Sequence, residues 1–299
     1  MGGCVMTIDI YRKQNNLTLA GGPVCVYEAG NDNLPPVLLL HGAMYDESRF
    51  IWHHLAPALS RTRHVFALDF PRHGKSRPWT GTVGQECLVQ VVKEVIGHFK
   101  IAPLPLIGLS MGGGVAIGYM LKYPEHVTCG VLMGPGGLGD KVRNQFLSWL
   151  FVKTPGALKA FAHAYAKYNN EQLRRKLAAV LQAGEYSPDF DDLVTVLYEE
   201  AQAKWKYREL AMDDWQNEGL APFRLKINFL PELHRLTRPT LWLRGKNDPL
   251  VGQNVMEEAA RLSPDGMLRV VENAGHLLPL EQPDEVYRFV QEFLVENGL

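Results

Sequence analysis

Membrane-spanning runs, an excess of one charge and closely spaced cysteines are all missing from this sequence of 299 residues. No apolar run approaches the roughly 18–20 residues that cross a bilayer, and residues 37–40 (V-L-L-L) have the length of a buried strand. Lys and Arg total 31 against 32 for Asp and Glu, whereas a duplex-binding protein usually carries a basic excess. We therefore expect no nucleic-acid partner and no stable insertion into a membrane.

The chain has few cysteines, and no two of them have the C-x-x-C spacing of metal or redox motifs. They are Cys4, Cys25, Cys87 and Cys129. Residues 1–10 (M-G-G-C-V-M-T-I-D-I) lack the basic and apolar regions of a signal peptide, and Met6 stands where a myristoylation motif has Ser or Thr. These patterns predict an unmodified N-terminus and free thiols in a reducing cytoplasm.

Strand-like and helix-like runs alternate along most of the chain. The strand-like runs are residues 24–27, 36–40, 64–70, 104–109, 129–133, 240–244 and 268–272. The helix-like runs are residues 85–99, 111–123, 254–262 and 285–294. Short apolar runs separated by amphipathic helices predict an α/β protein with a mostly parallel sheet covered by helices on both faces.

This alternation breaks between residues 140 and 236, where nearly every run is helix-like. Those runs are residues 142–152, 157–168, 171–182 and 189–208. No Gly/Ser-rich or Pro-rich linker flanks the stretch, so we interpret it as a helical insertion between two strands. The predicted division is a core of residues 1–139 and 237–299 and an insertion of residues 140–236.

Residues 108–112 (G-L-S-M-G) match the motif G-x-S-x-G between a predicted strand and a helix rich in small residues. A serine at such a sharp turn has strained backbone angles, and its neighbours two positions away must be small. The hydroxyl then projects above the sheet at a helix N-terminus, where amide N–H groups and the helix dipole favour negative charge. The motif predicts Ser110 as a nucleophile.

A serine hydroxyl is a poor nucleophile at neutral pH and needs a base, which in turn needs an orienting acid. The loops after the last two predicted strands contain Asp248 and His276. We expect one imidazole nitrogen of His276 near Ser110 Oγ and the other near an oxygen of Asp248. Asp140 is an alternative acid, because it follows the preceding strand.

The order Ser110, Asp248, His276 and its context resemble the α/β-hydrolase superfamily over nearly the whole chain. Residues 39–44 (L-L-H-G-A-M) resemble that family's H-G-x-x loop after the third strand. Residues 69–76 (D-F-P-R-H-G-K-S) are similar to its D-x-P-G-H-G-x-S turn, and residues 274–283 to its closing A-G-H … E-x-P segment. The resemblance implies an α/β-hydrolase fold of the serine esterase and lipase type, with residues 140–236 as a helical cap.

The resemblance also implies a role for each matching residue. Ser110 is the expected nucleophile, His276 the base and later the acid, and Asp248 the residue that orients the imidazole. The expected oxyanion hole is the backbone N–H of Met111 together with that of Ala43. Such chemistry needs no metal and no organic cofactor.

An apolar cap and balanced charge favour carboxylic esters of modest size, monoacylglycerols among them, as small-molecule substrates. The residues expected to contact the substrate are Met44, Phe146, Trp149, Leu150 and Leu277. The cap also contains cations, which we expect to form a solvated face that does not reach Ser110. They are Arg143, Arg174, Arg175, Lys204, Lys206 and Arg208.

Other functions use the same machinery and stay open at this point. Residues 133–139 (M-G-P-G-G-L-G) look like a segment of the carbon–carbon bond hydrolases that cleave ring-fission dienones, although Leu277 stands where those enzymes have Trp. A lactonase, a thioesterase and a small-molecule receptor on this fold are further alternatives. Residues 134–139 also fit G-x-G-x-x-G, but no carboxylate follows about 20 residues on, so we expect no dinucleotide site. We expect a monomer or a homodimer.

Overall fold

The computed structural model describes residues 10–141 and 144–299. Three sequence predictions lie outside the described residues. They concern the N-terminus with Cys4, the first two residues of the helix predicted from residue 142, and Arg143. The strands are β1 (Lys13–Leu19), β2 (Gly22–Ala29), β3 (Pro36–Leu40), β4 (His64–Leu68), β5 (Leu104–Leu109), β6 (Val127–Met133), β7 (Thr240–Gly245) and β8 (Gly266–Val271).

These strands form one eight-stranded sheet in the order β1-β2-β4-β3-β5-β6-β7-β8. The pairs β1–β2 and β2–β4 are antiparallel, and the pairs from β4 to β8 are parallel. Every residue of β4, β5 and β7 is buried, as expected for short and mostly apolar strands inside a parallel sheet. The predicted mostly parallel sheet is confirmed.

Helices cover both faces of the sheet and also fill the stretch between β6 and β7. They are α1 (Ser48–Ile51), α2 (Leu55–Leu59), α3 (Gln85–Phe99), α4 (Met111–Lys122), α5 (Gln145–Lys153), α6 (Ala157–Ala166), α7 (Asn170–Val180), α8 (Phe190–Lys206), α9 (Asp214–Gly219), α10 (Gln253–Leu262), α11 (Leu278–Glu281) and α12 (Pro283–Glu296). Within the described ranges, none of the helices is both long and apolar enough to cross a membrane.

The alternation of side chains along each strand builds a separate apolar core on each face of the sheet. Leu39 packs on the face covered by α1, α2 and α12, with Leu55 and Val286. Leu38 packs on the opposite face, which α3, α4 and α10 cover, with Val92 and Met256. Burial of these side chains on both faces fixes the strand ends that hold the site.

Helices α5–α9 belong to the stretch of residues 140–236, which we call the inserted segment. Its longest helix, α8, contributes buried apolar residues such as Leu193 and Leu197 to the core on the α1 side of the sheet. Asn169 begins α7 with a capping box that includes Gln172. The inserted segment is therefore packed onto the sheet domain, while the division into core and cap stays a prediction.

Candidate active site

Ser110 occupies a strained turn between β5 and α4. Its backbone angles are φ 53° and ψ −117°, in the left-handed half of conformational space that side-chain-bearing residues rarely adopt. A Cβ on Gly112 would lie 2.1 Å from the carbonyl oxygen of Leu40, and one on Gly108 would lie 2.5 Å from that of Gly112. The sequence prediction of a strained serine between obligatory small residues is confirmed.

Asp248 and His276 form a hydrogen-bonded pair at the ends of β7 and β8. Asp248 Oδ2 lies 2.9 Å from His276 Nδ1, and Asp248 Oδ1 accepts hydrogen bonds from the amides of Leu250 (2.7 Å) and Val251 (3.1 Å). Burial opposes the charge of Asp248, but His276 and the two amides outweigh it and hold the pKa of Asp248 below its usual value. A charged Asp248 fixes the imidazole with its proton on Nδ1.

The other imidazole nitrogen of His276 has no partner among the residues that the structure describes. His276 Nε2 is buried and makes no hydrogen bond within the described residues, and the predicted bond to Ser110 Oγ is not formed. Catalytic hydrogen bonds of this kind are often long or poorly aligned until substrate binds. Ser110 and His276 nevertheless line the same cavity. A buried nitrogen without a partner is unfavourable, and its position leaves it free to accept a proton in that cavity.

Asp140, the alternative acid, has different neighbours. Its side chain is exposed and accepts a hydrogen bond from Asn228 Nδ2 at 2.8 Å, and its backbone carbonyl accepts one from Leu225 at 2.7 Å. The hydrogen bond from His276 is accepted by Asp248. The geometry therefore favours Asp248 over Asp140 as the partner of the imidazole.

Two backbone amides are available where the sequence predicted an oxyanion hole. Within the described residues, the N–H groups of Ala43 and Met111 donate no hydrogen bond. Met111 is the first residue of α4, where backbone N–H groups have no acceptor inside the helix. The loop after β3 touches the serine turn, because a Cβ on Gly42 would lie 3.4 Å from Ser110 Cβ.

Asp213, which the sequence patterns did not single out, connects the inserted segment to this loop. Asp213 Oδ2 accepts a hydrogen bond of 2.6 Å from the amide of Met44, the residue after Ala43. Asp213 Oδ1 lies 3.1 Å from His73 Nε2 and 3.2 Å from Lys204 Nζ. Burial opposes its charge, but these partners outweigh it and hold the pKa of Asp213 far below its usual value.

Further buried ion pairs join the inserted segment to the sheet domain. Arg77 makes two hydrogen bonds to Glu200 of α8, at 2.5 and 2.9 Å, and one of 2.9 Å to Glu209. Lys204 is 1% exposed, so it does not belong to the solvated face predicted for the cations of the inserted segment. The burial of Lys204 could not be predicted from the spacing of residues along α8, because its partner Asp213 lies outside that helix.

A cavity of about 480 Å³ opens beside Ser110 and His276. Residues 134–138 form one wall, residues 249–252 with Val255 form another, and Trp215 contributes a third. Gly136 donates a hydrogen bond of 2.8 Å to the carbonyl of Ser110, so the glycine-rich stretch is part of the serine turn's support.

The residues predicted to contact the substrate do not line this cavity. They are Met44, Phe146, Trp149, Leu150 and Leu277, and the cavity is lined instead by Leu138, Met212, Trp215, Leu220, Leu225, Ile227, Leu250 and Val251. Phe146 and Leu150 are 46% and 48% exposed. Helix α5 is apolar on several sides, so its sequence did not indicate which side faces inward; it contributes Ser148 to the cavity.

No cation that the sequence singled out in the inserted segment lines the cavity, among the residues the structure describes. Arg174 pairs with Asp191 and Glu185, and Arg175 pairs with Glu171. Lys141, which is exposed, lines this cavity.

Two groups of side chains elsewhere have ligand atoms within 4.8 Å of one another, close enough for a metal ion. They are His53, His54 and Asp189, and Glu28, Asp32 and His64. Neither group contains Ser110, Asp248 or His276, and neither lines the cavity beside them.

The chain belongs to the alpha/beta hydrolase fold family, whose model matches residues 35–283. The predicted superfamily and fold are therefore confirmed. The solved structure of a membrane phospholipase A has a TM-score of 0.75 and 21% identity, covering 96% of this chain and 86% of that one. Carboxylesterase CesB (YbfK) from Bacillus subtilis has a TM-score of 0.69 and 23% identity, covering 96% and 94%. At 21–23% identity, the similarity to these two structures shows that they share the fold of this chain.

Curated relatives include enzymes with different reactions. Carboxylesterase YbfK of Bacillus subtilis is 24% identical over 280 residues, covering 91% of this chain and 84% of the relative. Monoacylglycerol lipase abhd6-B of Xenopus laevis is 24% identical over 267 residues, covering 88% and 76%. A 2-hydroxy-6-oxononadienedioate/2-hydroxy-6-oxononatrienedioate hydrolase of Comamonas testosteroni is 28% identical over 273 residues, covering 88% of each. The chain spans 65% of the length of another, the dihydrolipoyllysine-residue acetyltransferase component of the acetoin cleaving system of Pseudomonas putida.

Proposed function

We propose that this protein is a serine hydrolase that cleaves carboxylic esters through an acyl-enzyme intermediate. The observation that carries the proposal is the pair of Asp248 and His276 at 2.9 Å, with the free Nε2 of His276 in the same cavity as Ser110. A strained serine at a helix N-terminus supplies the nucleophile for that base.

The reaction has two halves that use the same groups. Ser110 Oγ attacks the ester carbonyl carbon while His276 Nε2 takes the hydroxyl proton. The negative tetrahedral oxygen accepts hydrogen bonds from the backbone N–H groups of Ala43 and Met111. The imidazolium, stabilised by charged Asp248, then protonates the departing alkoxide and leaves acyl-Ser110. A water molecule deprotonated by His276 attacks the acyl carbon. The bond to Ser110 Oγ then breaks as the imidazolium returns its proton to that oxygen, which releases the acid and restores Ser110 and His276.

The lining of the cavity favours an ester with an apolar part of modest size. A cavity of about 480 Å³ lined mostly by apolar side chains and glycines can hold a small ester or a single acyl chain. The relatives named as a carboxylesterase and a monoacylglycerol lipase support the same substrate class. Lactones and thioesters present the same kind of carbonyl to Ser110.

We propose a reducing, cytoplasmic setting, since the described cysteines are free thiols.

A second candidate is carbon–carbon bond hydrolysis of a ring-fission dienone. Lys141 at the cavity is the observation that favours it, because such a substrate carries an acidic group that a cation would hold. The relative from Comamonas testosteroni also has a dienedioate hydrolase name. Lys141 is exposed, however, and an exposed ion pair contributes only about 0–1 kcal/mol.

We expect the purified protein to hydrolyse a short-chain aryl ester faster than a ring-fission dienone. Lys141→Met should leave aryl-ester turnover within about twofold, because a neutral ester does not use the charge. Lys226→Met, another exposed lysine of the inserted segment that does not line the cavity, is the matched control. Steady-state kcat/KM on both substrates is the measurement. Faster dienone cleavage, with a severalfold loss of dienone turnover confined to Lys141→Met, would select the carbon–carbon hydrolase.

Asp213 is proposed as a positioning residue for the oxyanion loop. Asp213→Asn keeps the shape of the side chain but has one acceptor oxygen, which cannot serve both the amide of Met44 and the cation side of the site. The loop carrying Ala43 therefore loses part of what fixes its position. We expect kcat for the aryl ester to fall by about 10²-fold with little change in KM, since losing one oxyanion donor costs about 10²–10³.

Asp214→Asn is the matched control, because Asp214 follows Asp213 but pairs with Arg72. Its kcat should stay within a few-fold of the parent protein's. Both variants are compared by thermal unfolding, since loss of a buried partner lowers stability by about 3–5 kcal/mol. If Asp213→Asn raised KM and left kcat unchanged, the positioning role of Asp213 would be contradicted.

A further inference from the structure

An exposed apolar surface lies on helix α5 and the loop after α9. We call it the α5 face, and it consists of Phe146, Leu147, Leu150, Phe151 and Phe223. These side chains are between 46% and 72% exposed, and the rings of Phe146 and Phe223 stack with their centroids 5.8 Å apart. Contiguous exposed apolar side chains of this kind mark interaction surfaces, so we expect the α5 face to bind another surface.

Cations outnumber carboxylates around the α5 face, where Asp140 and Glu218 are the exposed carboxylates nearest to it in the sequence. Residues 141–170 contain five Lys and Arg residues and no Asp or Glu, although the whole chain has a net charge of −1. Lys153 and Lys159 are exposed close to the face in the sequence, and Arg224 and Lys226 are exposed beside Phe223. Aromatic and leucine side chains with flanking cations are the composition of surfaces that lie in the interface of an anionic bilayer.

We propose that the α5 face docks this protein on an anionic lipid surface. Five exposed apolar side chains would enter the headgroup region while the surrounding lysines and arginines meet lipid phosphates. A second copy of the chain fits less well, because pairing two α5 faces would bring two cationic stretches together. The docked protein would be peripheral, since the α5 face lies on the outside of a packed helix.

The α5 face is next to the cavity that contains Ser110. Ser148 lies on α5 between the exposed pairs and lines the cavity, and Leu220 and Leu225 line it on either side of Phe223. Resting on the proposed function, we infer that the substrate is an amphiphilic ester that moves from the lipid surface along this apolar route toward Ser110. Such a substrate would avoid full exposure of its acyl chain to water.

Flotation with vesicles tests docking without any catalytic turnover. The Ser110→Ala protein is mixed with vesicles of phosphatidylcholine alone or of phosphatidylcholine with about one third phosphatidylglycerol. We expect binding to the anionic vesicles that weakens with added salt. The added substitutions Leu147→Ser and Phe151→Ser should lower binding by about tenfold or more, since two apolar side chains leave the interface. Lys153→Glu with Lys159→Glu should lower it through charge alone.

Val180→Ser with Val295→Ser is the matched control, because both valines are exposed on other helices, at 54% and 63%. Its vesicle binding should equal that of the Ser110→Ala protein, and circular dichroism checks that each variant is folded. No anionic-vesicle binding, or equal loss in the control, would overturn the proposal. So would a concentration-dependent dimer that Leu147→Ser with Phe151→Ser abolishes while vesicles bind nothing.

The route to Ser110 is tested separately in the protein with an intact serine. Leu147→Ser with Phe151→Ser should leave turnover of a water-soluble short ester unchanged and reduce turnover of a long-chain ester held in anionic vesicles. Equal loss on both substrates would contradict the route. Vesicle binding without turnover of any ester would reject the proposed hydrolase but not the docking surface.

Discussion

Replacing Ser110 or His276 with alanine should remove about 10⁴-fold or more of the turnover of a short-chain aryl ester. Ser110→Ala deletes the nucleophile, and His276→Ala deletes the only imidazole that lines the cavity beside it within the described residues. The double variant should lose little more than either single variant, because groups that act as one unit give non-additive losses. Steady-state kinetics of the three proteins is the measurement.

Ser148→Ala is a matched control, since Ser148 also lines the cavity but lies on α5 rather than at the strained turn. Its turnover should remain close to that of the parent protein. Losses that multiply in the double variant would show that Ser110 and His276 do not act together. Equal, slow turnover by the parent and Ser110→Ala proteins would instead favour a small-molecule receptor on this fold.

Asp248→Asn should lower kcat by about 10³–10⁴-fold while leaving the fold intact. Asparagine fills the same space, but it carries no charge to stabilise the imidazolium and can present an N–H₂ group to His276 Nδ1. The imidazole would then hold its proton on Nε2, where it cannot accept one from Ser110. The depressed pKa of Asp248 means that the parent carboxylate is charged throughout the neutral range.

Asp140→Asn is the control for this substitution, because Asp140 bonds to Asn228 instead of His276. It should change kcat only a few-fold. A much larger loss in Asp140→Asn than in Asp248→Asn would transfer the orienting role to Asp140. Single-turnover measurement of acyl-enzyme formation would show whether the loss lies in the attack by Ser110.

Much of the fold was predictable because buried parallel strands are short apolar runs with helices between them. The predictions for β3 and β5 agree with the structure at both ends. Strand β1 (K-Q-N-N-L-T-L) was missed because it is an edge strand with mostly polar side chains. The short helices α1, α2, α9 and α11 were also missed, since four to six residues carry too little periodicity to stand out.

The candidate site was predictable only where the chain itself fixes the geometry. The glycines around Ser110 reveal a turn, and Asp248 and His276 follow strands whose ends meet at one edge of the sheet. The direction in which α5 faces depends on packing between helices, so Phe146 and its neighbours were wrongly placed against the cavity. Asp213 was missed because its contact with the amide of Met44 joins residues 169 positions apart.

The buried ion pairs between the inserted segment and the sheet domain restrict how a substrate can reach Ser110. Lifting α8 as a rigid flap would separate Arg77 from Glu200, two side chains that are each 2% exposed. Because leaving one partner of such a pair buried and unpaired costs about 3–5 kcal/mol, we expect the pair to stay together during turnover. Substrate and products are therefore expected to enter and leave the cavity through small rearrangements of side chains beside α5. Tethering α8 to the sheet domain should then reduce turnover far less than a bulky substitution at Ile227, which lines the cavity.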